Sequence, residues 1–190
     1  MPRRHREIWY AFIAIVVITA LYAIAYRQAG SFPRASGLVG HGIGILGFIL
    51  ILMTEILYSI RKRLTDVKWG RMSSWLRFHI FTGLVGPYMV LLHTSMRFGR
   101  LAGVAMFMTV VVVASGVVGR YLYTRVPRTV EDSSLPAADV VALDQRVQRL
   151  AARRGALATW RAVHVPLTWV LIVTALAHAA AALYYVTLAR

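Results

Sequence analysis

Five apolar runs, each long enough to cross a bilayer, constrain this chain more than any other feature. Inside hydrocarbon every backbone N–H and C=O must find its partner within the protein, so a spanning segment is a helix or part of a closed barrel. Runs of about 20 residues suit a helix. They cover residues 8–26, 38–60, 79–96, 101–123 and 163–188. Between them lie RQAGSFPRAS, the basic stretch RKRLTDVKWGRMSSWLR, the tight turn RFGR and a long polar segment, 124–162. With 58% hydrophobic residues and a mean hydropathy of +0.62, the composition is too apolar for an ordinary soluble domain. No A-x-A-like site follows the first run, so it reads as a span rather than a cleaved leader. The expectation is an all-α, integral membrane bundle of five transmembrane helices, forming one membrane domain over residues 1–190. No internal repeat of whole spans and no low-complexity region is evident.

The net charge of +15 invites a nucleic-acid reading, but in so hydrophobic a chain the side on which Lys and Arg fall is the better first use of it. With the N-terminus inside, 17 of the 22 Lys and Arg fall on the inner side. The outer side keeps Arg27, Arg34, Arg97, Arg100 and Arg190. This asymmetry predicts a cytoplasmic N-terminus and an external C-terminus, with no nucleic-acid partner. The expected location is a bacterial cytoplasmic membrane, with lipid as the general partner. Trp9, Tyr10, Tyr26, Trp75, Tyr121, Tyr123, Tyr184 and Tyr185 fall near the expected interfaces, as aromatic belts do.

Within the polar segment, residues 136–154 carry a helical signal of their own. Val140, Leu143, Val147, Leu150 and Ala151 recur at helical spacing. Ser134 is placed to cap the start, Pro136 falls in the first turn, acids precede arginines, and Gly155 is placed to end it. The segment reads either as an amphipathic helix lying on the inner membrane face or on a partner, or as a plain surface helix.

Cysteine is absent, which excludes disulfides, thiolate metal sites and covalently attached haem on this chain. A metal or cofactor would be held by His, Met or carboxylates. Of six histidines, His5 belongs to the basic tail and reads as solvated. The other five lie in or at the ends of spans, where ionisable groups are rare and usually functional. His79 and His93 are fourteen residues apart on the third span, and His164 and His178 are fourteen apart on the fifth. Fourteen residues bring a helix back to within about 40° of its starting face after a rise of about 21 Å. Each helix therefore shows two imidazoles on nearly one face, one towards each membrane surface. If the two spans pack side by side, His79 meets His164 near the inner surface and His93 meets His178 nearer the outer one.

Imidazole is a good axial ligand for haem iron, so the spacing predicts two bis-histidine haem sites stacked across the bilayer. Gly83 and Gly86 lie between the histidines of the third span. Their missing side chains would admit a flat macrocycle, or serve helix packing alone. Pro87 removes a backbone hydrogen bond and is placed to bend the helix; on the fifth span Thr174, Ala175 and Ala177 offer small side chains. Arg77, Arg97, Arg100 and Arg161 near the helix ends are placed to pair with haem propionates, or act only as topology signals.

This pattern resembles the di-haem b-type membrane cytochromes. The equal fourteen-residue steps with intervening glycines resemble the haem helices of the cytochrome b subunit of bc-type complexes. The use of spans 3 and 5 resembles the ferric-reductase and NADPH-oxidase membrane domain. The resemblance covers residues of about 38 to 188 and is specific at the four histidines and the two glycines. It implies two haem b groups and electron transfer across the membrane. The chain departs from these families in having five spans rather than six or eight, no Pro-Glu-Trp-Tyr quinol motif and no following flavin or nicotinamide domain. That points to a subunit served by a redox partner, an Fe–S protein or a multihaem cytochrome.

The second span carries His41 near its outer end and Glu55 near its inner end, again fourteen apart. Glu55 either delivers protons to a quinone at the inner side or pairs with Arg61 or Lys62. His41 either caps the outer pocket, or bonds a quinone carbonyl, or is an interfacial polar residue. Gly40, Gly42, Gly44 and Gly47 form small-residue steps suited to tight helix packing. The reading is a di-haem cytochrome b subunit passing electrons between a redox partner and a quinone or second partner. Two rivals stand beside it: a stand-alone quinone-, superoxide- or iron-linked reductase, and a haem-free structural anchor.

Overall fold

The computed structural model describes residues 6–31, 33–63, 70–125 and 140–187. Five α-helices account for nearly all of them: α1 (Arg6–Ala29), α2 (Leu38–Arg63), α3 (Met72–His93), α4 (Arg100–Arg125) and α5 (Val140–Thr187). All five are long and apolar enough to cross a membrane, and the chain is an all-α integral membrane bundle. Large apolar side chains such as Phe12, Leu21, Phe107, Val173 and Leu183 face outward, as they do where the solvent is lipid.

Three boundaries differ from the sequence expectation. Helix α3 begins at Met72 and ends at His93, so His79 lies two turns inside and His93 closes the helix. The polar residues Ser73, Ser74 and Arg77 hid this first stretch from a hydropathy reading, although helical geometry runs through it. The helix stops because Ser95 (φ 48°) and Met96 (φ 59°) are left-handed. Ser95 Oγ donates to Pro33 O at 2.6 Å, tying this turn to the loop before α2.

The third difference is α5. Residues 140–154 are helical, as their periodicity predicts, but they run unbroken into the fifth span as one 48-residue helix, about 72 Å long. Gly155 does not end it. A Cβ at Gly155 would meet nothing, so a continuing helix costs no more there than glycine's modest propensity penalty. Residues 136–139 of the expected amphipathic segment lie outside the described residues.

Helix α3 is the hub. It packs most extensively on α2, then on α1, and lightly on α4, while α4 pairs with α5. The α2–α3 crossing is built on Gly47 and Gly86: a Cβ on either would come within 2.9 Å of the other's carbonyl oxygen. One turn along the interface from Leu50 and Ile51, the hydroxyls of Thr54 and Thr82 meet at 2.7 Å, and Thr82 is almost fully buried. Helix α1 is tied to α3 through the hydroxyls of Thr19 and Tyr88. It is also tied to α4 through a buried ion pair between Glu7 and Arg120.

Candidate functional site

Each histidine of α3 is held by a main-chain carbonyl of α2. His79 Nδ1 lies 3.1 Å from Thr54 O, and its ring lies 4.8 Å from that of Tyr58. His93 Nδ1 lies 2.8 Å from Gly40 O. The His93 ring is seated against Gly44, where a Cβ would come within 2.7 Å of its Cγ and Nδ1. A carbonyl can only accept, so both imidazoles carry a proton on Nδ1, and the neutral ring then presents the Nε2 lone pair.

His164 on α5 reaches the same state by another route. Its Nδ1 lies 2.6 Å from Ser115 Oγ on α4. Ser115 Oγ also lies 2.8 Å from Val112 O, and with its single proton donated there the hydroxyl oxygen accepts from Nδ1–H. Trp160, one turn earlier on α5, stacks on the imidazole with ring centroids 4.8 Å apart and planes inclined by 23°. The indole N–H donates to Ser115 O at 2.7 Å. Gly119 makes this possible, because a Cβ there would fall 2.0 Å from the Trp160 ring. His164 is buried and His178 half-buried.

Helices α3 and α5 share no extensive packing among the described residues, so they are not the tightly apposed pair that side-by-side packing would give. His79 lies within Coulombic reach of His164, and His93 within Coulombic reach of His178. His41, exposed on α2, has its ring 6.3 Å from that of His93. At the other end Tyr58 lies within Coulombic reach of Glu55, Tyr123 and Arg161. Tyr58, packed on His79, thus links that histidine to polar groups of α2, α4 and α5, and Glu55 is half-buried. Arg61, the alternative partner of Glu55, donates to Gly70 O at 3.3 Å, and the Lys62 side chain lies outside the described residues.

Several expected site residues are placed elsewhere. Gly83 and Gly86 share the histidine-bearing face of α3, but that face is turned to α2: Gly86 meets Gly47, Leu50 and Ile51, and Gly83 meets Thr54. The missing side chain of Gly86 serves the crossing of α2, whereas a Cβ at Gly83 would make only an ordinary 3.5 Å contact with Thr54. Arg77 is two residues before His79, about 200° around the helix. It lines a cavity against α1 and bonds Ser73 O and Ser74 Oγ, so it does not serve the histidine face. Arg97 is exposed in the turn after α3, and the side chain of Arg100 lies outside the described residues. Arg161, exposed on α5, is within Coulombic reach of Tyr58, whose ring packs on His79.

Ser115, Trp160, Gly119, Gly44 and the carbonyls of Thr54 and Gly40 are positioning groups that the sequence reading missed. The signal available was Ser115-Gly116-x-x-Gly119 on the fourth span and Trp160 one helical turn before His164. Among the described residues no group of three or more His, Cys, Asp or Glu could hold a bare metal ion. Paired imidazoles suit a metal whose remaining ligands come with it, as the four pyrrole nitrogens of a haem do. No family model, no curated protein and no solved structure matches the chain.

Proposed function

We propose that this chain is a di-haem b-type cytochrome subunit. His79 and His164 hold one haem iron, and His93 and His178 the other. Bound there, the haems supply one-electron Fe(III)/Fe(II) chemistry, and the subunit carries electrons between the two membrane faces. The observation that carries this reading is tautomer control. Nδ1 of His79 and of His93 lies against a main-chain carbonyl and that of His164 against the Ser115 hydroxyl, an arrangement that in the neutral ring leaves Nε2 available to a metal. Metal-binding histidines are oriented in this way.

The chain's own residues have distinct tasks. Thr54 O, Gly40 O and Ser115 Oγ hold the rings. Trp160 covers one face of His164. Tyr58 and Arg161 supply polar contacts at the His79–His164 end, where Arg161 can meet a propionate. Glu55 is placed to hold or pass a proton beside Tyr58, and His41 plays the corresponding part beside His93, for a quinone at either end. The distribution of Lys and Arg supports an inner N-terminus in a bacterial cytoplasmic membrane, and the long α5 extension supports docking of an Fe–S or multihaem partner on that side.

Single-ligand variants test the pairing. His79→Ala should lose the haem that His164→Ala loses, and His93→Ala the one that His178→Ala loses. If the two members of a pair removed different haems, the assignment would be wrong.

A further inference from the structure

A second site lies on the opposite face of α3 from the histidines, where the starts of α1 and α3 meet. A cavity of about 310 Å³ opens there. Its rim is exposed and polar, formed by Arg6, Tyr10, Ser74 and Arg77, and its floor is formed by the half-buried rings of Phe78 and Phe81.

The two guanidiniums are already oriented. Arg6 donates to Tyr10 Oη at 2.8 Å, and Arg77 donates to Ser74 Oγ at 3.1 Å and Ser73 O at 3.3 Å. A guanidinium has five N–H donors in a fixed fork, so each keeps donors for an external acceptor. Glu7 also lines the cavity, but its carboxylate is paired with Arg120 on α4, so it does not cancel the arginines at the rim. The polar residues belong to the first two turns of α1 and α3, whereas Phe81 lies about 6 Å further along the α3 axis than Arg77. Charge at the rim, with the Phe78 ring beside it and the Phe81 ring one turn deeper, matches the headgroup-to-acyl boundary of a leaflet.

We propose that this cavity binds the phosphate of an anionic phospholipid, with Arg6 and Arg77 as the phosphate ligands and Phe78 and Phe81 against the glycerol and upper acyl chain. Pockets of basic residues between transmembrane helices take such headgroups, and guanidinium meets phosphate bidentately. The site does not depend on the histidines, and the inference stands or falls apart from the haem reading.

The test uses the full chain, reconstituted in discs of phosphatidylcholine containing a minor fraction of phosphatidylglycerol, and lipid retained after detergent extraction is counted by native mass spectrometry. The wild type should retain phosphatidylglycerol over phosphatidylcholine by about tenfold beyond its bulk share, as one to two charge-assisted contacts would give. Arg6→Gln with Arg77→Gln should abolish the enrichment. Ser74→Trp, which fills the cavity and leaves both charges, should abolish it too. Arg27→Gln with Arg34→Gln, the same charge change at the other ends of α1 and the following loop, should leave it intact. Equal retention of the two lipids by the wild type would overturn the proposal, as would unchanged enrichment in both cavity variants. Displacement of phosphatidylglycerol by millimolar inorganic phosphate would identify the ligand as a soluble phosphate and would overturn it as well.

Discussion

Ser115→Ala isolates the group on which the His164 account depends. Ser115 holds α5 at two points: its hydroxyl accepts from His164 Nδ1 at 2.6 Å, and its main-chain carbonyl accepts from the Trp160 indole at 2.7 Å. Alanine removes the first and keeps the second. The imidazole N–H then has no acceptor at a position only 8% exposed. Leaving a buried donor unsatisfied costs about 1–3 kcal/mol. Loss of a hydrogen-bond partner behind a metal-binding histidine typically lowers metal affinity by about 10–100-fold, and at about 1.4 kcal/mol per factor of ten the two estimates agree. The assay is transfer of haem to excess apomyoglobin, followed in the absorption bands, with low-spin electron paramagnetic resonance reporting ring orientation. One of two haems should leave about 10–100-fold more readily, with a shifted resonance, while the other is unchanged. Ser115→Thr, which keeps a hydroxyl, should restore both. If Ser115→Ala matched the parent in haem transfer and resonance while His164→Ala lost a haem, hydroxyl control of the tautomer would be refuted.

Gly44→Ala places a methyl 2.7 Å from the His93 ring and should perturb the spectrum of the His93–His178 haem only; an unchanged spectrum would show that the ring does not sit there. Gly119→Ala drives a Cβ to 2.0 Å from Trp160. It should cost about 1–3 kcal/mol through overpacking, read as a lower unfolding midpoint in detergent, and it should loosen the same haem as Ser115→Ala. Glu7→Gln leaves Arg120 without its carboxylate in a pair whose side chains are 3% and 19% exposed. Breaking a buried pair from one side costs about 3–5 kcal/mol, which for a chain of this size is a fall on the order of 10 °C in Tm; an unchanged Tm would show that the pair contributes nothing.

The spans and the histidine register are written in the sequence because both follow from a single helix. A bilayer demands about 20 apolar residues, and the fourteen-residue step fixes which side chains share a face whatever packs against it. The setting of one helix against another is not written there. Gly86 lies on the histidine face, but only the fold shows that α2 rather than a cofactor takes up its empty space. Ser115 falls opposite His164 because of how α4 is rotated against α5, which no pattern within the fourth span specifies. Arg77 is the opposite case: two residues before His79 places it on the far side of the helix, so its exclusion from the histidine face follows from spacing alone. Glu7 escaped notice because it stands at the end of a span, among charged residues that resemble an ordinary solvated tail, and its burial depends on Arg120, 113 residues away. Gly155 resembled a helix end, but such a residue stops a helix only where the chain must turn left-handed. In α5 it does not.

The measurement that bears most directly on the central claim is a reduced-minus-oxidised absorption spectrum of the purified chain, made with ample haem, together with a pyridine haemochrome count. The four-histidine account predicts a b-type spectrum and two haems per chain. A chain that folds and purifies with no haem would contradict it, and would leave the histidine pairs as structural groups of a membrane anchor.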